Sequence, residues 1–102
     1  MRVRVEVKKR VLLATLMGEL DHHAAGKLRE RFDRELSDRK IKTLIVDLNQ
    51  VGFMDSSGIG MMIGRYKTMT RRGGSVAVRA GSRQVDRMME LSGLYRIIEK
   101  LA

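Results

Sequence analysis

The sequence predicts an α/β domain, a mixed β-sheet opened by an antiparallel hairpin with amphipathic helices packed on it. Three observations carry that expectation. Residues 3 to 7 alternate apolar and charged side chains, the period of a strand with one wet face. Beyond them, short apolar runs alternate with stretches whose apolar residues recur every three or four positions, which implies strands exchanging with helices over one sheet. No proline, linker, repeat or low-complexity tract interrupts the 102 residues, so a single unit over 1–102 is expected.

Val3, Val5 and Val7 alternate with Arg2, Arg4 and Glu6 in the first strand. A basic turn, residues 8 to 10, leads into VLLATLMG (11–18), a second apolar strand expected to end at Gly18 and to pair with the first. From Asp21 the pattern turns helical, with Ala25, Leu28, Phe32 and Leu36 on one stripe and Lys27, Arg29, Glu30, Arg31 and Arg34 elsewhere. Asp21 has the chemistry of an N-cap, a carboxylate that accepts orphan backbone N–H groups. TLIVDL (43–48) is nearly continuous in apolar residues, as in a strand covered on both faces. Ile59, Met62, Ile63, Tyr66 and Met69 or Thr70 mark a second helix that closes near Gly73 and Gly74. SVAVRA (75–80) is a fourth strand. A third helix starts near Ser82 and uses Val85, Met88, Met89 and Leu91, and the apolar piece at Ile97 and Ile98 is expected as a last edge strand.

Composition removes several function classes. With 43% hydrophobic residues the chain is long enough to bury one core. Without cysteine there is neither a disulfide framework nor thiolate metal ligation, and two histidines make a poor metal site, so neither metal nor other cofactor is expected. No apolar stretch approaches the ~20 residues that span a bilayer, and the N-terminal MRVRVEVKKR is charged, so a cytoplasmic protein is expected. The net charge of +9 reads as a diffuse field, with small clusters in the first ten residues, at Arg39, Lys40 and Lys42, and at Arg71 and Arg72. It suits a solubilising surface or, as the alternative, a basic nucleic-acid-binding module; only four aromatics, Phe32, Phe53, Tyr66 and Tyr95, are present to stack on bases.

FMDSSGIG (53–60) lies where an apolar strand ends and a helix begins, the place at which open α/β sheets carry their sites. Asp55 is expected as N-cap, making Ser56 and Ser57 the first helical residues. A helix N-terminus favours anions, so a phosphate on Ser56 would be tolerated by the fold while adding about −1.5 to −2 charge. Ordinary capping explains the same residues. Gly58 and Gly60 point to a contact surface, because a helical glycine costs roughly 1 kcal/mol against alanine; for Gly60 and Gly64, four apart, close helix-on-sheet packing is the other explanation. An enzyme is not expected. The G-x-S-x-G elbow is missing, G-x-G-x-x-x-G is no dinucleotide fingerprint, and spacing assigns no base role to His22 or His23.

GELDHHAAGKL (18–28), VDLNQVGFMDSSGIGMMIGRYK (46–67) and MELSGLYRII (89–98) together resemble the anti-sigma factor antagonists with a STAS domain, over almost the whole chain and in consistent order. The resemblance implies a STAS-type fold and a partner switch in sporulation or stress response. An unphosphorylated antagonist binds an anti-sigma factor that is also a serine kinase and so frees the sigma factor; phosphorylation ends binding and a serine phosphatase restores it. The implied phosphoacceptor is the first serine of D-S-S-G, Ser56, with Ser57 as a supporting hydroxyl. Asp21, His22, His23, Asp55, Ser57, Gly58 and Gly60 are the implied partner-binding positions, with Asp21 as a cap and the histidines as exposed polar surface on the plainer view. No direct nucleic-acid or membrane contact is implied. The family often continues into a further strand and closing helix, so a domain lacking that C-terminal helix is expected.

Overall fold

The computed structural model describes residues 1–101. Its order is β1 (Arg2–Lys8), β2 (Val11–Leu20), α1 (His22–Glu35), β3 (Thr43–Met54), α2 (Ser56–Arg71), β4 (Ser75–Arg79), α3 (Arg83–Leu91), a 3-10 turn (Leu94–Arg96) and β5 (Glu99–Leu101). The five strands lie in the sheet in sequence order, β1 antiparallel to β2 and every later neighbour parallel. The expected mixed sheet and opening hairpin are therefore present.

Strand order explains the layering. Each of the three helical crossovers steps one place in the same direction, and right-handed crossovers that never reverse put all helices on one face. Burial follows: Leu12, Ala14 and Leu16 of β2, Leu44, Val46 and Leu48 of β3, and Val76 and Val78 of β4 share one core with Leu28 and Phe32 of α1, Met62 and Met69 of α2, and Val85 and Met89 of α3. The expectation that 43–48 is covered on both faces is corrected, because Thr43, Ile45 and Asp47 point to the uncovered side and stay half-exposed. An apolar run reports burial on average; here Ile45 joins Leu13 on an open sheet face.

Other boundaries also move. β2 runs through Gly18 to Leu20, since a register shift after Gly18 (φ +119°, a conformation that glycine accepts cheaply) lets the strand continue beside β3. β3 likewise extends to Met54, so most of the residues before Asp55 are strand rather than loop. The last strand is Glu99–Leu101, not the Ile97–Ile98 piece; Ile98 is buried in the core and Ile97 is exposed, because the 3-10 turn before them sets a different phase. Leu91, expected on the apolar stripe of α3, is 72% exposed at the end of the helix.

Two polar clusters make testable contributions to stability. The Asp86 carboxylate on α3 accepts from the Tyr95 hydroxyl and pairs with Lys100 of β5 at 2.8 Å, tying the last strand to the helix. Hydrogen bonds from Lys100 and then Tyr95 hold the Asp86 carboxyl below its ordinary 3.8, and burial, then the bond to Asp86, pushes the Tyr95 phenol above its ordinary 10.0. A lowered carboxyl gives stability that is present above the unfolded value and lost as pH falls through the folded one. A raised phenol gives stability that is present below pH 10.0 and lost as pH climbs above it. Urea unfolding against pH is expected to show both losses in the natural protein, while Tyr95→Phe removes the alkaline loss and makes the acid loss shallower.

Among the described residues Arg65 is the only charged side chain that is buried. Its Nε lies 3.4 Å from Asp33 Oδ1, and neither Nε nor Nη1 makes a hydrogen bond. Burial lowers its pKa more than Asp33 raises it, and Arg29 adds to the lowering, so desolvation outweighs attraction. Arg65→Met is expected to raise stability by about 1 kcal/mol in urea unfolding, because an apolar chain of similar length fills the space without a stranded charge.

Candidate functional site

The parallel strands β2 and β3 end side by side, with Leu20 in register with Met54, so the helices that follow them begin together. Asp21 caps α1 through Oδ1, which accepts from the Ala24 N–H at 2.9 Å; Asp55 caps α2 through Oδ1, which accepts from the Ser57 N–H at 2.9 Å. The Asp55 N–H in turn donates to the Leu20 carbonyl at 3.3 Å, locking the two caps to one edge. Both capping expectations are realised, and the two N-termini converge at one edge of the sheet. The site therefore rests on strand ends and helix tips, the stiffest places the fold offers.

The two serines have different surroundings. Ser57 is half-buried, its N–H is taken by Asp55, and its Oγ lies 3.0 Å from His22 Nδ1. Ser56 is exposed, and its hydroxyl makes no hydrogen bond among the described residues. At the first helical position its oxygen stands where the helix carries partial positive charge. An anion attached there meets solvent rather than packed side chains.

His22 and His23 part company. His22 turns onto Ser57 at the head of a groove between α1 and α2, lined also by Gly26, Arg29 and Gly60. His23 and Asp21 line a second groove, between α1 and β1, with Glu19 and Lys27. The His22–Ser57 pair has two members of a hydrolytic triad and lacks the third, for no carboxylate engages the imidazole among the described residues.

The glycines divide as well. Gly58 is buried, and a Cβ there would lie 2.5 Å from Met54 Cγ and 3.0 Å from Leu20 Cγ, so it serves close packing of α2 on the strand ends and offers no surface. Its expected part in a contact surface is corrected accordingly. Gly60 is exposed, and nothing lies within 4 Å of a Cβ at Gly60 or Gly64, which removes tight packing as the reason for either. One supporting residue escaped sequence reasoning. Gln84 of α3 grips Met54 just before the cap, its Oε1 accepting from the Met54 N–H and its Nε2 donating to the Met54 carbonyl, both at 2.9 Å. Thirty residues separate the partners, and no local pattern announces the clamp.

With this geometry in hand, similarity to known proteins is specific. The STAS domain family model matches residues 2–102. The anti-sigma F factor antagonist of Paenibacillus polymyxa is 36% identical over 98 residues, covering 96% of this chain and 84% of the relative. The anti-sigma-B factor antagonist of Bacillus subtilis is 31% identical over 101 residues, covering 97% and 91%. The phosphorylated form of SpoIIAA, a Bacillus cell fate determinant, superposes with a TM-score of 0.78 at 26% identity, covering 99% of this chain and 92% of that one. Among the described residues no helix is long and apolar enough to cross a membrane. The sheet order, the paired helix caps and these matches converge: the chain belongs to the STAS domain family, among the anti-sigma factor antagonists.

Proposed function

We propose that this chain is an anti-sigma factor antagonist switched at Ser56. The unmodified form binds an anti-sigma factor with serine kinase activity and frees the sigma factor held by it. Transfer of a phosphoryl group to Ser56 ends the complex, and a serine phosphatase resets it, all in the cytoplasm. The observation that carries this reading is the contrast at D-S-S-G, where Ser57 is bound on both its N–H and its hydroxyl while Ser56 stands exposed and uncommitted.

The physical basis of the switch is local. A phosphate on Ser56 adds about −1.5 to −2 charge next to the carboxylates of Asp21 and Asp55, on the surface that His22, Ser57 and Gly60 share. A partner docked there faces like-charge repulsion and the desolvation of a dianion, while the helix N-terminus keeps the fold at ease with it. The protein supplies a hydroxyl and a recognition surface; the catalytic groups belong to the kinase and phosphatase, so it is not itself an enzyme. Incubation with the cognate kinase and ATP is expected to add a single phosphate that peptide mass spectrometry maps to Ser56. A phosphate on Ser57 instead would contradict the assignment.

A further inference from the structure

We infer that the end of the molecule opposite Ser56 is a docking surface for the phosphate backbone of duplex nucleic acid. Ser56 sits past the carboxyl ends of β2 and β3, whereas the hairpin turn, the connection from α1 to β3 and the end of α2 meet at the opposite strand ends. They are sewn together. The Arg10 carbonyl accepts from Lys42 N–H at 2.8 Å and Thr43 N–H at 3.2 Å, and the Lys42 carbonyl accepts from Ser75 N–H at 2.8 Å. Lys42 Nζ donates to the Arg72 carbonyl at 2.7 Å, and Arg72 Nη1 to the Asp38 carbonyl at 3.3 Å.

These bonds bring Lys8, Lys9, Arg10, Arg39, Lys40 and Arg71 to one end of the fold, all of them exposed and none in an ion pair among the described residues. The charge that looks diffuse along the sequence is thus gathered in space. Structural duties account for part of it: Lys42 and Arg72 hold the end of α2, and a cation at Arg71 complements the helix dipole. Those duties leave the hairpin turn and the Arg39–Lys40 pair unexplained. Lys9 is telling, since its φ of +57° is a left-handed conformation that turns of this length normally give to glycine or asparagine. A lysine there serves something other than the turn.

The chemistry of the surface selects the ligand. The depression that Lys9, Arg10, Arg39, Lys40 and Lys42 line adds only Ser37 and Asp38, with no aromatic and no apolar side chain; the apolar strip of Val11, Leu13 and Ile45 that Lys8 and Lys9 border lies beside it, on the open sheet face. Protein interfaces have an apolar core, stable membrane attachment has inserted apolar groups, and single-strand binding has aromatic stacking platforms. Duplex phosphates need only closely spaced Lys and Arg.

The test is fluorescence anisotropy with a labelled 20-base-pair duplex of arbitrary sequence, between 50 and 200 mM salt. Micromolar binding that weakens steeply with salt is expected, roughly tenfold or more across that range. The triple variant Lys8→Ser, Lys9→Gly, Lys40→Ser is expected to lose about tenfold or more in affinity and to flatten the salt dependence. Its thermal unfolding, read by circular dichroism, is expected to match the natural protein or exceed it, because glycine relieves the turn. The charge-matched variant Arg2→Ser, Arg83→Ser, Arg87→Ser, with Arg2 beside Met17 near the carboxyl end of β2 and Arg83 at the start of α3, keeps its affinity within about twofold. Absence of binding at 50 mM salt, or equal losses in the two triple variants, overturns the proposal. So does capture by phosphatidylglycerol vesicles that depends on the same three residues while the duplex is ignored.

Discussion

Ser56→Asp is expected to weaken binding to the cognate anti-sigma factor by about 30-fold or more, whereas Ser56→Ala stays within about twofold of the natural protein and accepts no phosphate. The loss corresponds to about 2 kcal/mol, at the lower end of what an uncompensated charge costs in a docked interface. Aspartate carries less charge than phosphoserine, so the phosphorylated protein is expected to lose more. Isothermal titration calorimetry measures both. The fold supplies the control. Ser56 is exposed at the first turn of α2, where a carboxylate complements the dipole, so Ser56→Asp melts at the same temperature or slightly higher. Weakened binding together with a lowered melting temperature would point to a damaged scaffold instead of an altered surface.

Gly58→Val is expected to cost about 3 kcal/mol of stability, and Gly60→Ala, two positions away, to gain about 0.5–1 kcal/mol. The difference is one of surroundings. A Cβ at Gly58 runs into the Met54 side chain, with Cγ at 2.5 Å and Sδ at 2.7 Å, against the buried Leu20; the buried Met54 and Leu20 side chains or the tip of α2 have to shift to make room. A Cβ at Gly60 meets nothing within 4 Å and only removes backbone freedom from the unfolded chain. Urea unfolding of both variants checks the pair. The proposed binding of the anti-sigma factor at the Ser56 end adds a further expectation for Gly60→Ala, a more stable protein that binds that partner less well, because the methyl group stands on the open side of the groove between α1 and α2.

Much of this was legible in the sequence where the physics is local. Capping needs one carboxylate and the N–H groups two or three residues on, so Asp21 and Asp55 could be read from spacing, as could helical stripes such as Leu28 and Phe32. What the sequence hid depends on partners far along the chain. Apolar Ile45 looks like core until the strand order shows that every helix lies on the other side. Gly58 and Gly60 are alike as residues and opposite as environments, because only one faces Met54. His22 and His23 are adjacent in sequence and separated by the first turn of α1, so one meets Ser57 and the other lines a different groove. The basic residues at 8–10, 39–42 and 71–72 seem scattered until backbone hydrogen bonds fold them onto one end.

The affinity of the anti-sigma factor for this protein before and after enzymatic phosphorylation, with the phosphate mapped in the same sample, tests the central claim most directly. A single phosphate on Ser56 and a loss of about 100-fold or more in affinity is the predicted result. Equal affinity of the two forms would contradict it.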